Sequence, residues 1–428
     1  MSKPLKLGLA GLGTVGAGVI RIIEEHRALL TVRTGCQIEI TAVSARSRSK
    51  DRGVDISGYA WEDDPVALAR RDDVDIMIEV MGGEDGPAKA AIEAALAGGK
   101  HVITANKALL AHHGQALAEL AEANGVALRF EAAVAGGIPC VKALTEGLAG
   151  NAITRVMGVM NGTCNYILTT MENTGADYAA VLDDAQKLGY AEADPSFDVG
   201  GIDAAHKLAL LAATAFGTQV DFAGVKTEGI DKVTLTDIRQ AADMGFAVKL
   251  LGVARMNADG LEQRMQPCLV PRSSPVGQLD GVTNMVVIDG DPVGQTVYQG
   301  PGAGAGPTGS AIVGDIVDIA RGLVIPAFGQ PASGLSQTPR STSGAEAPFY
   351  LRFSLKDQPG TLAEITSILG KNRISIDRMR QYPHDGDDAP VLIVTHDCDR
   401  AALNTALAAI EKSDVSLAPP VALRIETL

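Results

Sequence analysis

Aromatic residues are scarce, at 4% of the 428 residues with one tryptophan, and no segment gathers lysine and arginine into a basic stripe. The formal net charge is −14, which argues against nucleic-acid binding, because neutralising phosphates needs clustered cations. No apolar stretch approaches the roughly 20 residues that span a bilayer. The five cysteines (Cys36, Cys140, Cys164, Cys268 and Cys398) are scattered and odd in number, and no pair has metal-ligand spacing. They read as reduced thiols of a cytoplasmic protein, and no His/Cys constellation points to a transition metal. The apolar N-terminal run is broken at once by glycines, so no signal peptide is expected. What is present is ordinary globular composition: 46% apolar, 21% charged and 48 glycines, in a length sufficient for two or three domains. The expected partners are small molecules and further copies of the chain.

Strand-like runs at Leu5–Ala10, Gln37–Ser44, Val74–Val80, His101–Thr104 and Val126–Glu131 alternate with helical patterns. These include one to about Leu30, one over Pro87–Gly98 and one over Asn106–Asn124. This alternation predicts an α/β fold with a doubly wound parallel sheet over residues 1–150. From Ile153 the character changes. A strand at Val156–Met160, a helix after Asn161, mixed segments and a strand near Val282–Ile288 predict an inserted α+β substrate domain over 151–308. A helix within 309–330, read from Ser310 to Val324, is expected to pack back on the first domain. Residues 335–347 are rich in Ser, Thr, Pro, Gly and Gln and read as a linker. Residues 348–428 follow a βαββαβ pattern.

Gly11-Leu-Gly13-Thr14-Val15-Gly16 follows a strand and opens a helix, the context a dinucleotide fingerprint requires. The glycines let the backbone approach a pyrophosphate at the helix N-terminus. The second strand ends without the carboxylate that binds a ribose 2′-hydroxyl. Arg46 stands there instead, with Arg48 and Lys50 beyond it, so NADP(H) is expected in preference to NAD(H), which stays open. Thr104-Ala-Asn106-Lys107 places Thr104 and Lys107 at the carboxyl end of another strand, facing the ligand crevice. Gly300–Thr308, with Gly302 and Gly304, reads equally as a phosphate-cradling loop or a flexible one. The densest chemistry lies between Gly189 and Lys207, where Glu192, Asp194, Asp198, Asp203 and Lys207 alternate with Gly, Pro and Phe. Asp203 and Lys207 are four apart and share one helix face. An acid and an amine so held can bind a polar substrate and move a proton. His206 lies beside that face and reads as structural or exposed.

The run Ala185-x-x-x-Gly189-Tyr-Ala-x-x-Asp194-Pro-x-x-Asp198-Val-x-Gly-x-Asp203-x-x-x-Lys207 resembles the signature of homoserine dehydrogenases. The glycine fingerprint, Thr-Ala-Asn-Lys at 104–107 and Asn161-Gly-Thr163 fit in order. The tail, with Asp357-Gln-Pro-Gly360 between a strand and a helix, is similar to an ACT domain. The resemblance spans essentially the whole chain and implies a Rossmann domain, a substrate and dimerisation domain, and a C-terminal ACT domain. A chain without the aspartate kinase part of bifunctional members is expected. The implied reaction is reversible NAD(P)H-dependent reduction of L-aspartate 4-semialdehyde to L-homoserine, in threonine and methionine biosynthesis. It implies Lys207, Asp203 and Lys107 as catalytic groups, and Glu192, Gly189, Thr163 and Asp198 around the substrate. It also implies a monovalent cation, Na+, at Glu131 and the carbonyls of Val134, Gly136 and Ile138. L-Threonine is the implied effector at the ACT domain, separable from catalysis by deletion after about Ser341, and a homodimer or homotetramer the implied assembly. Alternatives are another NAD(P)-dependent dehydrogenase of an amino-acid-derived carbonyl, or a non-catalytic amino-acid sensor.

Overall fold

The computed structural model describes residues 3–342, 344–382 and 388–427. Six strands form the first sheet: β1 (Leu5–Ala10), β2 (Ile38–Ser44), β3 (Ala60–Glu62), β4 (Ile76–Glu79), β5 (His101–Thr104) and β6 (Leu128–Arg129). Their order is β3-β2-β1-β4-β5-β6, all parallel. This is the doubly wound Rossmann arrangement, with a crevice at the carboxyl ends of β1 and β4 where the winding reverses. The central strands are buried on both faces, so Leu7, Leu9, Ile76 and Ile78 are fully enclosed.

Two helical expectations are corrected. The helix after the fingerprint breaks at His26 into Thr14–Glu25 and Arg27–Thr34. The helix expected within 309–330 runs from Ala305 to Ala320 and so absorbs half of the glycine-rich loop. Those glycines let it lie close on the Thr14–Glu25 helix. A Cβ on Gly18 would stand 2.3 Å from the Ala305 carbonyl oxygen, and one on Gly309 would stand 2.9 Å from Ile22 Cδ1.

The second sheet holds β7 (Ala152–Val159), β8 (Lys226–Thr227), β9 (Phe246–Asn257), β10 (Gly260–Pro271), β11 (Thr283–Asp291), β12 (Gly294–Pro301), β13 (Phe349–Lys356), β14 (Ile376–Gln381), β15 (Asp388–Thr395) and β16 (Val421–Ile425). The path is β12-β11-β7-β9-β10-β16-β13-β15-β14, with β8 pairing β10. The β9–β10 hairpin, unread in the sequence, is buried on both sides, which erases alternation. The C-terminal module's strands are not a separate sheet. Strand β16 pairs parallel with β10, Cys268 opposite Arg424 and Leu269 opposite Ile425.

A buried cluster of charges crosses the same seam. Arg264 pairs with Glu262 at 3.0 Å and Glu426 at 2.7 Å, and Arg424 pairs with Glu426 at 2.5 Å. The segment expected as a linker is also tied down. Leu335 and Ser341 are buried, Leu261 N donates to Pro339 O at 2.8 Å, and Arg340 holds Asp221 at 2.6 Å. Ser343 of that segment lies outside the described residues, as do 383–387 and Leu428 of the module.

Candidate active site

The crevice at the end of β1 is built from backbone. Gly11 has φ 103°, and a side chain on it would collide with the Val80 carbonyl oxygen, 2.6 Å from its Cβ position. At Gly16 a Cβ would meet Gly11 O at 2.0 Å, so the turn closes only with glycine. Gly13 has open space where its side chain would be, and it caps the helix with no side-chain hydrogen bond and no acid in the first turn. The helix N–H groups and its positive end are left for an anion. These features fit a dinucleotide pyrophosphate. A cavity of about 540 Å³ lies here, lined by Gly11, Gly13, Arg46, Lys50 and Arg52, with Asp63 on its rim. Thr14 is exposed at the helix start, and Val15 faces a second cavity.

Arg52, not singled out in the sequence, staples the loop after β2. It donates to Leu12 O at 3.1 Å, to Lys50 O at 2.6 Å and to Ser47 O. Arg48 stands over the Trp61 ring and does not line the cavity.

Thr104 lies elsewhere than expected. It is fully buried, lines neither cavity, and donates to Glu79 Oε2 at 2.6 Å while accepting from Asn106 N at 3.0 Å. Glu79 also accepts from Met81 N at 2.7 Å. Asn106 in turn caps the Lys107–Ala123 helix through Leu109 N at 3.1 Å. Thr104 therefore braces the cap of the helix whose first residue is Lys107.

Lys107 reaches Asp203 Oδ1 at 3.0 Å, and Lys207 reaches Asp203 Oδ2 at 2.7 Å and Met160 O at 2.8 Å. Asn161 completes the cluster. It caps the helix Gly162–Thr174 through Cys164 N and donates to Asp198 at 2.8 Å and Asp203 at 3.1 Å. Asp203 and Lys207 are 8% and 9% exposed, so that pair is largely withdrawn from water, while Lys107 is half-buried. Burial opposes ionisation of Asp203, but the two ammonium groups outweigh it and hold the carboxyl well below the ordinary range. Asp198 is pushed the other way, first by burial and then by the charge on Asp203.

The cluster lines a cavity of about 630 Å³. Thr163, Gly189 and Glu192 form another part of its wall, and Gly302 and Gly304 enter beside Val15. Thr163 donates to Tyr190 O at 2.7 Å, which ties the acidic loop to the Asn161 cap. Sequence reasoning missed a buried polar group beneath this wall. Lys249 and Asn165 grip the carbonyls of Leu279 and Gly281, and so fix the segment that carries Val282 and Asn284 into the cavity. Burial lowers the Lys249 ammonium to about 8.

Glu131 is buried, and its carboxylate accepts from Val141 N at 3.0 Å and Lys142 N at 2.7 Å. Burial, then Asp315, raises it to about 7. Ala135 and Gly136 both have positive φ, turning the carbonyls of this loop. Val134 O accepts from the Cys140 thiol at 3.6 Å and Ile138 O from Cys140 N at 2.8 Å. The donors are hard oxygens, the type a monovalent cation takes. Among the described residues no group of three or more His, Cys, Asp or Glu could hold a metal.

Fold and site together define an oxidoreductase that uses a nicotinamide dinucleotide. Residues 11–131 match the family model described as homoserine dehydrogenase, NAD binding domain; 139–317 match homoserine dehydrogenase; and 349–414 match the ACT domain. The chain is 44% identical over 436 residues to the homoserine dehydrogenase of Neisseria gonorrhoeae, covering 100% of this chain and 99% of that one. It is 40% identical over 435 residues to that of Pseudomonas aeruginosa, covering 100% of both. The crystal structure of a homoserine dehydrogenase from Thiobacillus denitrificans superposes with a TM-score of 0.94 at 41% identity, over 99% of each chain. The chain belongs to the homoserine dehydrogenase family, whose reaction interconverts L-aspartate 4-semialdehyde and L-homoserine. Among the described residues no helix is long and apolar enough to cross a membrane.

His206, next to Lys207, is buried at 2% exposure, and neither ring nitrogen has a hydrogen-bond partner. Its ring lies 4.1 Å from Phe222 and 5.5 Å from Phe197. Burial, then His112, pushes it down to about 4, so it is neutral in the folded chain. Between pH 6.5 and 4 the unfolded chain takes up a proton that the folded chain refuses, so stability is lost as pH falls through that window. At pH 5 the loss from this residue is about 2 kcal/mol relative to pH 7. His206→Phe should remove that part of the pH dependence in urea unfolding at the two pH values. An unchanged dependence would contradict the assignment.

Proposed function

We propose that Lys207 is the proton donor of the reaction and that Asp203 and Lys107 hold it in place and supply charge. The supporting observation is the convergence of both ammonium groups on one buried carboxylate, in the wall of the cavity that also receives Gly302 and Gly304. A nicotinamide bound in the cleft would supply the hydride that the aldehyde carbon accepts. Lys207 gives a proton to the developing alkoxide oxygen, and Lys107 stabilises its charge. Glu192 and Asp198 serve the substrate ammonium, with Thr163 and the Gly189 backbone closing the pocket. A monovalent cation at Glu131, Val134, Gly136 and Ile138 would be structural. The five free cysteines support a reducing, cytoplasmic setting. Among the described residues β14 pairs only with β15, an edge at which two copies can pair, in addition to a dimer contact through the substrate domain in a homodimer or homotetramer. Lys207→Ala should lower kcat by roughly 10²–10⁴-fold with little change in cofactor affinity. Near-wild-type turnover would overturn the role.

NADP(H) is the preferred cofactor in this reading. Arg46 and Lys50 line the crevice past the end of β2, and the one carboxylate among its lining residues, Asp63, is engaged by Trp61 Nε1 at 2.7 Å. Charge-assisted contacts contribute about 1.5–3 kcal/mol, so Arg46→Asp should cut kcat/KM for NADPH roughly 10- to 100-fold and that for NADH far less. Equal losses for both would refute the preference.

L-Threonine is the proposed effector. A cavity of about 400 Å³ surrounds Asp357–Ala363 and Gln381, where Gly360 at φ 96° opens the helix Thr361–Lys371 without a side-chain cap. Threonine should inhibit the wild type, and Asp357→Ala should lose that inhibition while keeping basal turnover. A wild type insensitive to threonine would remove the effector from the account.

A further inference from the structure

Asn284 is the second residue of β11, opposite Gly300 of β12, and it lines the cavity that holds Lys107 and Lys207. It is 1% exposed, and its Oδ1 is buried with no hydrogen-bond partner. A buried amide oxygen left unmet is costly, so such a group in a binding cavity calls for a ligand. The amide lies against the backbone of Gly302. A Cβ there would stand 2.2 Å from its Cγ and Nδ2 and 2.4 Å from its Oδ1. From beneath, the strand entry is pinned by Asn165 and Lys249. The strand that carries Asn284 is therefore held in place, and the Gly302 backbone limits where its amide can turn.

Its chemistry and position select the partner. An amide offers one acceptor and one two-proton donor, the pattern that a neutral, planar amide returns in two hydrogen bonds. The charged side chains of this cavity already have roles toward the amino-acid substrate, Glu192 and Asp198 at its ammonium and Lys107 and Lys207 at its reacting oxygen. Asn284 is neutral and abuts Gly302, three residues before Ala305, the start of the helix that packs on the fingerprint helix through Gly18 and Ala305. That is the cofactor's side of the cleft. We propose that Asn284 holds the carboxamide of the nicotinamide ring and fixes the ring's orientation beside Lys207. It is a positioning residue, and the inference rests on the ring end of the cofactor lying in this cavity.

The test is calorimetric titration of the full-length chain, without substrate, with NADP+, with 2′-phospho-ADP-ribose, which lacks the ring, and with the 3-acetylpyridine analogue, which lacks the amide NH2. The nearly isosteric Asn284→Leu accompanies Asn284→Ala, so that one variant keeps the packing while removing both hydrogen-bonding groups. Both should bind NADP+ about tenfold more weakly, the loss expected of one to two hydrogen bonds, and 2′-phospho-ADP-ribose as tightly as wild type. The wild-type preference for NADP+ over the acetylpyridine analogue should vanish in both, with KM for homoserine unchanged. Equal weakening toward NADP+ and the fragment would overturn the assignment. So would intact NADP+ binding with a raised KM for homoserine, which would give Asn284 to the amino acid. A wild type that binds NADP+ no more tightly than the fragment and does not distinguish the analogue would instead defeat the underlying placement of the ring.

Discussion

One carboxylate, Asp203, stands between two ammonium groups delivered by different parts of the chain. Lys107 comes from the helix that follows β5 of the nucleotide-binding sheet, and Lys207 from the helix that packs on β9 and β10. A buried charge is tolerated only when paired and hydrogen-bonded. Removing Asp203 deprives both ammonium groups of their shared partner, so the triad couples the position of the substrate domain to that of the nucleotide domain. Asn161 adds a neutral clamp on Asp203 and Asp198 together. The cleft therefore has an organised floor without ligand, and an oxygen arriving there replaces none of the pairing that holds the lysines in place.

Around that floor the fold relies on close approach rather than on large side chains. Aromatics are few, and the cofactor crevice and the contact between the Thr14–Glu25 and Ala305–Ala320 helices are made by glycines. Small residues let backbones touch, which brings the Gly302–Gly304 segment from the far end of the substrate domain to the crevice at β1. The cavity is thus assembled from segments nearly 300 residues apart in sequence, and the glycines at 11, 16, 18 and 302 each sit where a methyl group would meet backbone or a fixed side chain.

Much of this was legible in the sequence, for reasons that differ by residue. Gly11, Gly13 and Gly16 are bound by local turn geometry, and Asp203 and Lys207 share a helix face by spacing alone, so short-range rules reach them. Thr104 shows the limit. Its place at a strand end was clear, but whether its hydroxyl faced the crevice or Glu79 depended on a carboxylate 25 residues away. Asn284, Asn165 and Lys249 carry no local signal, since a polar residue inside an apolar run reads as an exposed position until the tertiary structure buries it. The β9–β10 hairpin was hidden for the converse reason, both faces being apolar. The helix at Ala305 began earlier than expected because packing overrode the poor helix propensity of Gly306 and Gly309.

The C-terminal module follows an independent pattern in sequence, yet its physical boundary is weak. Strand β16 gives β10 a hydrogen-bonded neighbour, and Glu426 neutralises Arg264, which is 6% exposed. Cutting the chain near Ser341 would leave Arg264 with Glu262 as its nearest counter-charge and open the β10 edge. Strand β10 also lies under the active-site helix. Met265 packs against Gly252 and against Gly201, the residue at which the Asp203–Lys207 helix starts. A truncated chain would therefore suffer in its catalytic half for structural reasons that have nothing to do with regulation. Point substitutions inside the Asp357–Ala363 cavity leave that seam intact, and so they test the proposed effector site apart from catalysis where a deletion would confound the two.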